Sequence, residues 1–117
     1  MGTGYQNLQV WRDAMALSVE TYKATERLRD PGLRDQMRRA AVSVPSNIAE
    51  GDERDTDRDS VRFFYIAKGS LAELRTQLEI AQEVGLLPKE RVSGIQQQAM
   101  LIGRRLGALI RARSAPQ

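Results

Sequence analysis

Residues 64–81 read FYIAKGSLAELRTQLEIA, and their spacing decides the fold. Phe64, Ala67, Leu71, Leu74, Leu78 and Ala81 recur at intervals of 3, 4, 3, 4 and 3. That period places all six on one stripe of an α-helix, whereas a strand would scatter them over both faces. A helix with one apolar stripe is stable only when the stripe is covered, so the rest of the chain must supply partners. Upstream, Thr56 and Asp59 provide a side-chain cap and an acid for the first free amides. Downstream, Gly85 is a natural stop.

The same period extends in both directions. Leu33, Met37, Ala41, Val44 and Ile48 form a second stripe, with Gly51 expected in the left-handed conformation just past the helix end. Pro45 lies inside this segment, where it removes an amide donor and crowds the Ala41 carbonyl, which predicts a kink. Further upstream, Val10, Ala14, Leu17, Thr21, Ala24 and Leu28 make a stripe widened by Trp11 and Tyr22 and ended by the turn signal Asp30-Pro31-Gly32. Downstream, Pro88 opens a segment carrying Val92, Ile95, Ala99, Ile102, Leu106 and Leu109. No segment alternates with period two. Helices are therefore expected roughly over 7–29, 33–50, 57–84 and 88–112, within one domain spanning the chain. Short connections make consecutive helices antiparallel, giving an all-α, up-down-up-down four-helix bundle with its second helix kinked at Pro45.

Composition narrows the chemistry. The 117 residues include neither cysteine nor histidine, which removes disulfides, thiol catalysis and the usual zinc and haem ligands. Residues 52–59 are acidic but lack the EF-hand arrangement, and no phosphate loop, dinucleotide fingerprint or nucleophile–base pair is present. The expectation is a protein that is not an enzyme and needs no cofactor or metal. Polar residues at the amino end and the lack of a long uncharged apolar run point to a cytoplasmic protein that does not enter a membrane. Charge is unevenly spread: residues 1–87 carry 12 Lys/Arg against 14 Asp/Glu, and residues 88–117 carry 6 against 1. Those six, Lys89, Arg91, Arg104, Arg105, Arg111 and Arg113, are candidates for neutralising the phosphates of a nucleic acid, without aromatic neighbours on which bases would stack.

Residues 36–51, QMRRAAVSVPSNIAEG, resemble the signature of the four-helix-bundle proteins encoded in intervening sequences of bacterial 23S ribosomal RNA genes. LQVWRDA at 8–14 is similar to the opening motif of that family, and IAKGSLAEL at 66–74 to its third-helix motif, in the same order and spacing. The family is similar in fold to the accessory protein of diversity-generating retroelements, a pentameric barrel that binds a reverse transcriptase and nucleic acid. The resemblance thus implies a homopentamer with a nucleic-acid or a protein partner. Two functions stay open on this reading: a nucleic-acid-binding oligomer, or a scaffold that docks an enzyme such as a reverse transcriptase.

Arg39, Ser43, Asn47 and Glu50 fall on one helical stripe beside the apolar one, and Ser70, Glu73 and Gln77 do the same on the third segment. They either form a hydrogen-bonded network fixing helices two and three, with Arg39 and Glu73 as partners, or line a subunit interface or pore. Gly69, and the small-residue stripe Ala99, Gly103, Gly107, suggest close helix approach.

Overall fold

The computed structural model describes residues 4–114. After a 3₁₀ turn at Gly4–Asn7 come four helices: α1 (Gln9–Ala24), α2 (Pro31–Asp52), α3 (Asp57–Glu83) and α4 (Lys89–Ser114). No strand occurs among the described residues. Cross-helix contacts give each direction. Ser18 meets Ala41 and Thr25 meets Arg38; Ser43 meets Ser70 and Gly51 meets Ser60; Arg75 meets Gln96 and Leu71 lies against Gly103. Asp13 meets Arg105 and Glu20 meets Arg91. In every pair of adjacent helices one number rises as the other falls, so all four neighbouring pairs are antiparallel. The helices close into a square in chain order, with α1 beside α4.

The stripes read from the sequence face inward. Leu17, Met37, Ile48, Phe64, Leu74, Leu78, Ile95, Ile102 and Leu106 are fully buried in one core. The register slips at the end of α4, where Ile110 is buried and Leu109 only partly so. A step of four replaces the expected three.

Helix ends depart from the sequence reading for identifiable reasons. α1 stops at Ala24, and the buried Thr25 closes its last turn, the amide donating to the Thr21 carbonyl at 3.0 Å and the hydroxyl to the same oxygen at 2.7 Å. Asp30-Pro31-Gly32 starts α2 instead of only ending α1: the Asp30 carboxylate accepts from the Leu33 amide at 2.9 Å, and Pro31 occupies the first turn, where its missing N–H is harmless. Thr56 caps α3 by accepting from the Asp59 amide at 3.2 Å. At the other end Gly85 takes φ +79°, the Leu86 amide donates to the Ala81 carbonyl at 2.8 Å, and the Gly85 amide donates to that of Gln82 at 3.0 Å. This is the six-to-one and five-to-two closure of a Schellman ending.

Gly51 is not in a left-handed conformation; it lies inside α2 and is buried. A Cβ there would sit 2.6 Å from the Phe64 ring, while the Gly51 carbonyl accepts from Ser60 Oγ at 2.6 Å. Its role is to let α3 approach α2 at the hairpin. Gly69 has the opposite surroundings, with nothing within 4 Å of an added Cβ, so close approach within the bundle does not account for it.

α2 runs without interruption through the buried Pro45. Proline has no N–H, so the Ala41 carbonyl one turn earlier loses its helical donor. Ser18 of α1 replaces it: Ser18 Oγ lies 2.9 Å from the Ala41 oxygen and 3.0 Å from that of its own Ala14. The hydroxyl has one proton, and Ala14 retains the ordinary helical amide of Ser18, so Ala41 is the acceptor with the greater need.

Two stability predictions follow from this packing. Ser18→Ala should cost about 1–3 kcal/mol in denaturant unfolding by stranding a buried carbonyl, and clearly less in a Pro45→Ala background, where the helix supplies its own amide. Equal costs in both backgrounds would refute the cap. Leu74→Ala, fully buried at the centre of α3, should cost about 2–5 kcal/mol.

Candidate functional site

The charged residues of α4 divide by the side of the helix they occupy. Those beside α1 are engaged: Arg105 pairs with Asp13, and Arg91 Nη2 lies 3.6 Å from Glu20 Oε2. Near the end of α4, Arg113 donates to Asp52 of α2 at 2.9 Å and lies 5.6 Å from the Phe64 ring centroid. These three arginines fasten α4 to α1 and α2. Lys89, Arg104 and Arg111 form no ion pair among the described residues.

Arg104 faces α3, where it meets two cations absent from the sequence-derived set. Lys68, Arg75 and Arg104 surround a groove of about 410 Å³ floored by Leu71, Ala99 and Gly103, with no carboxylate in its lining. Arg75 is held at its edge by Gln96: Arg75 Nε donates to Gln96 Oε1 at 2.9 Å, and Gln96 Nε2 donates to the Arg75 carbonyl at 3.0 Å. Arg111 is one seven-residue interval beyond Arg104 and folds back along α4, its Nη1 3.4 Å from the position of a Cβ on Gly107. Lys68 and Arg75 are also seven apart, which aligns them on one side of α3. That interval was the available signal. A net-charge count over residues 1–87 hides it beneath acids that lie elsewhere.

Between α2 and α3 lies a polar seam. Ser43 Oγ and Ser70 Oγ are 2.8 Å apart, and Asn47 Nδ2 donates to both Ser43 Oγ (2.9 Å) and the Ser43 carbonyl (2.8 Å). Arg39 and Glu73 line one pocket of about 420 Å³ with Gln36, Ser43 and Ser70. The pairing expected of them is not present, since no ion pair joins them within 4.0 Å. Glu50 stands apart from the seam and pairs with Arg54 just past the end of α2. Gln77, one turn beyond Glu73, is buried with its Oε1 unpartnered.

The third surface is apolar. Trp11, Met15, Val19 and Tyr22 of α1 and Val42 and Pro45 of α2 line a groove of about 520 Å³. Met15, Val19 and Tyr22 are 41, 48 and 45% exposed. Arg38 stacks on Tyr22 of this lining, its guanidinium 4.4 Å from the ring centroid and donating to the Tyr22 carbonyl at 3.2 Å. Met15, Val19 and Val42 lie off the core stripes, so a search for the buried face passes over them.

The model described as 23S rRNA-intervening sequence protein matches residues 6–108. The chain belongs to that family. Its fold is similar to the crystal structure of a protein of unknown function from the S23 ribosomal protein family of Bacteroides thetaiotaomicron, with a TM-score of 0.81 and 20% sequence identity over 86% of this chain and 97% of the other. No curated protein matches. Family membership and structural likeness thus agree on the four-helix fold. Among the described residues no helix is long and apolar enough to cross a membrane, and no group of three His, Cys, Asp or Glu is placed to hold a metal ion.

The ion pairs should rank by burial. Asp52 and Arg113 side chains are 12 and 27% exposed, against 41 and 43% for Glu20 and Arg91. Asp52→Ala is expected to cost about 1–2 kcal/mol and Glu20→Ala less than about 0.5 kcal/mol, measured by urea unfolding. The reverse order would show that α4 is not anchored through Arg113.

Proposed function

We propose that the protein is a non-enzymatic, cofactor-free cytoplasmic homo-oligomer that holds nucleic acid by its phosphate backbone. The observation that carries this reading is the α3–α4 groove, where Lys68, Arg75 and Arg104 converge without a carboxylate in the lining. Cations surrounding an acid-free groove focus positive potential on whatever enters it. Arg111 extends the row, and a ring of subunits would repeat it. The groove lining includes no aromatic platform or base-reading set, so contacts go to phosphate and sequence selectivity is low. Membership of the 23S rRNA-intervening sequence protein family is compatible with an RNA partner.

Arg91, Arg105 and Arg113 belong to this proposal less directly, since each neutralises an acid of the protein first. The informative variant is accordingly Lys68→Glu with Arg104→Glu. In fluorescence anisotropy with a short RNA duplex and a single strand, wild-type affinity should fall steeply with salt. The double variant should lose affinity for both nucleic acids by about tenfold or more, with a salt slope shallower by about two. Undetectable binding by correctly folded wild type at low salt would overturn the reading.

A second function, a protein-binding scaffold such as an accessory factor for a reverse transcriptase, is favoured by the apolar α1–α2 groove. Exposed aromatic and aliphatic side chains in a concavity of this size are typical of surfaces covered by protein. In an oligomer, part of that surface would be covered by a second copy. Light scattering should give a homopentamer at micromolar concentration; a stable monomer would remove the oligomer from both readings.

A further inference from the structure

The polar residues shared between α2 and α3 are not consumed by the phosphate-binding reading: Arg39 and Glu73 are exposed, Ser43 and Ser70 half-buried, and part of their hydrogen-bonding capacity faces outward from the bundle. Asn47 donates to Ser43, which leaves two hydroxyl protons in the Ser43–Ser70 pair. One is shared between the two oxygens at 2.8 Å. Neither serine has another acceptor among the described residues, so the second proton is available to the pocket that both residues line. On the same walls, Arg39 comes from α2 and Glu73 from α3. Neither side chain makes an ion pair or hydrogen bond among the described residues, although they share the pocket. The volume of about 420 Å³ falls in the range of small-molecule sites, roughly 300–1,000 Å³.

We propose that the α2–α3 pocket binds a small zwitterion of the free amino-acid class, its carboxylate on Arg39 and the serine hydroxyl, its ammonium on Glu73. The charges select this class. A guanidinium with a hydroxyl donor suits a carboxylate, but a simple anion would be repelled by Glu73. A simple cation would meet the reverse arrangement. A ligand carrying both charges satisfies both walls and leaves the pocket neutral. Gln36, also in the lining, supplies an amide that can donate or accept. The half-buried Asn47 amide, donating to Ser43, holds the hydroxyl pair in position, so Asn47 is a positioning residue. The site is on the opposite flank of α3 from the Lys68, Arg75, Arg104 groove and does not depend on it.

The test is titration of the full-length protein with each standard amino acid, followed by amide chemical shifts and calorimetry. Acetate, methylammonium and inorganic phosphate serve as single-charge probes. At least one amino acid should bind saturably in the millimolar range or tighter, perturbing Arg39, Ser43, Ser70 and Glu73, with each probe at least tenfold weaker. Arg39→Gln and Glu73→Gln should each weaken binding tenfold or more while leaving circular dichroism and Tm unchanged. Ser70→Ala should weaken it less. If no amino acid binds, or if phosphate binds as well as the amino acids, the proposal fails. It also fails if Tm in a double-mutant cycle shows Arg39 and Glu73 coupled in the free protein, because they would then satisfy one another.

Discussion

The hydroxyl of Ser18 on the Ala41 carbonyl is the contact on which much of this architecture depends. A proline in the middle of a buried helix creates an acceptor that the helix itself cannot satisfy. Here the donor comes from the neighbouring helix, so the defect in α2 can be repaired only when α1 lies at one height and one rotation against it. Apolar stripes alone specify that helices pack, but tolerate sliding; a single directional bond to an obligatory acceptor does not. The turn capped by Asp30, the ion pairs reaching α4 and the groove beside Pro45 all inherit that register.

The bundle was legible because helical periodicity is a property of spacing alone, and all four stripes are nearly unbroken. Where the reading went astray, a residue had a role that spacing does not encode. Pro31 looks like a stop when viewed from α1 and a start when viewed from α2, and the Asp30 cap decides between them. Gly51 carries the composition of a helix terminus, yet it is a contact surface for the Phe64 ring. Ser18 gives no sign in sequence that it serves a carbonyl 23 positions away. The α4 arginines were visible as charges, but whether each faces an acid depends on side-of-helix geometry across two other helices.

That geometry gives α4 two different surfaces. Toward α1, its cations are spent on structure; toward α3, they remain available and are joined by Lys68 and Arg75. The same residue type at neighbouring positions, Arg104 and Arg105, thus falls into different roles because successive helical residues are turned by about 100°. A charge total over the segment averages these two roles together, and the excess of basic residues in the last quarter of the chain overstates what a phosphate can reach.

The closure of the square by α1 against α4 has a kinetic meaning. Apart from the Arg113–Asp52 bridge at the end of α4, every other helix contact joins neighbours in the chain, across connections of a few residues, and the α2–α3 hairpin is the most extensive of them. Such local contacts lose little entropy when they form, so the hairpin is the natural nucleus and the bundle belongs with fast-folding, low-contact-order topologies. The α1–α4 seam must instead bring together residues as far apart as Asp13 and Arg105. It should therefore be the last boundary to assemble and the first to open. Because α1 also forms one wall of the apolar groove, transient opening there would reshape that groove before the core of α2 and α3 is disturbed.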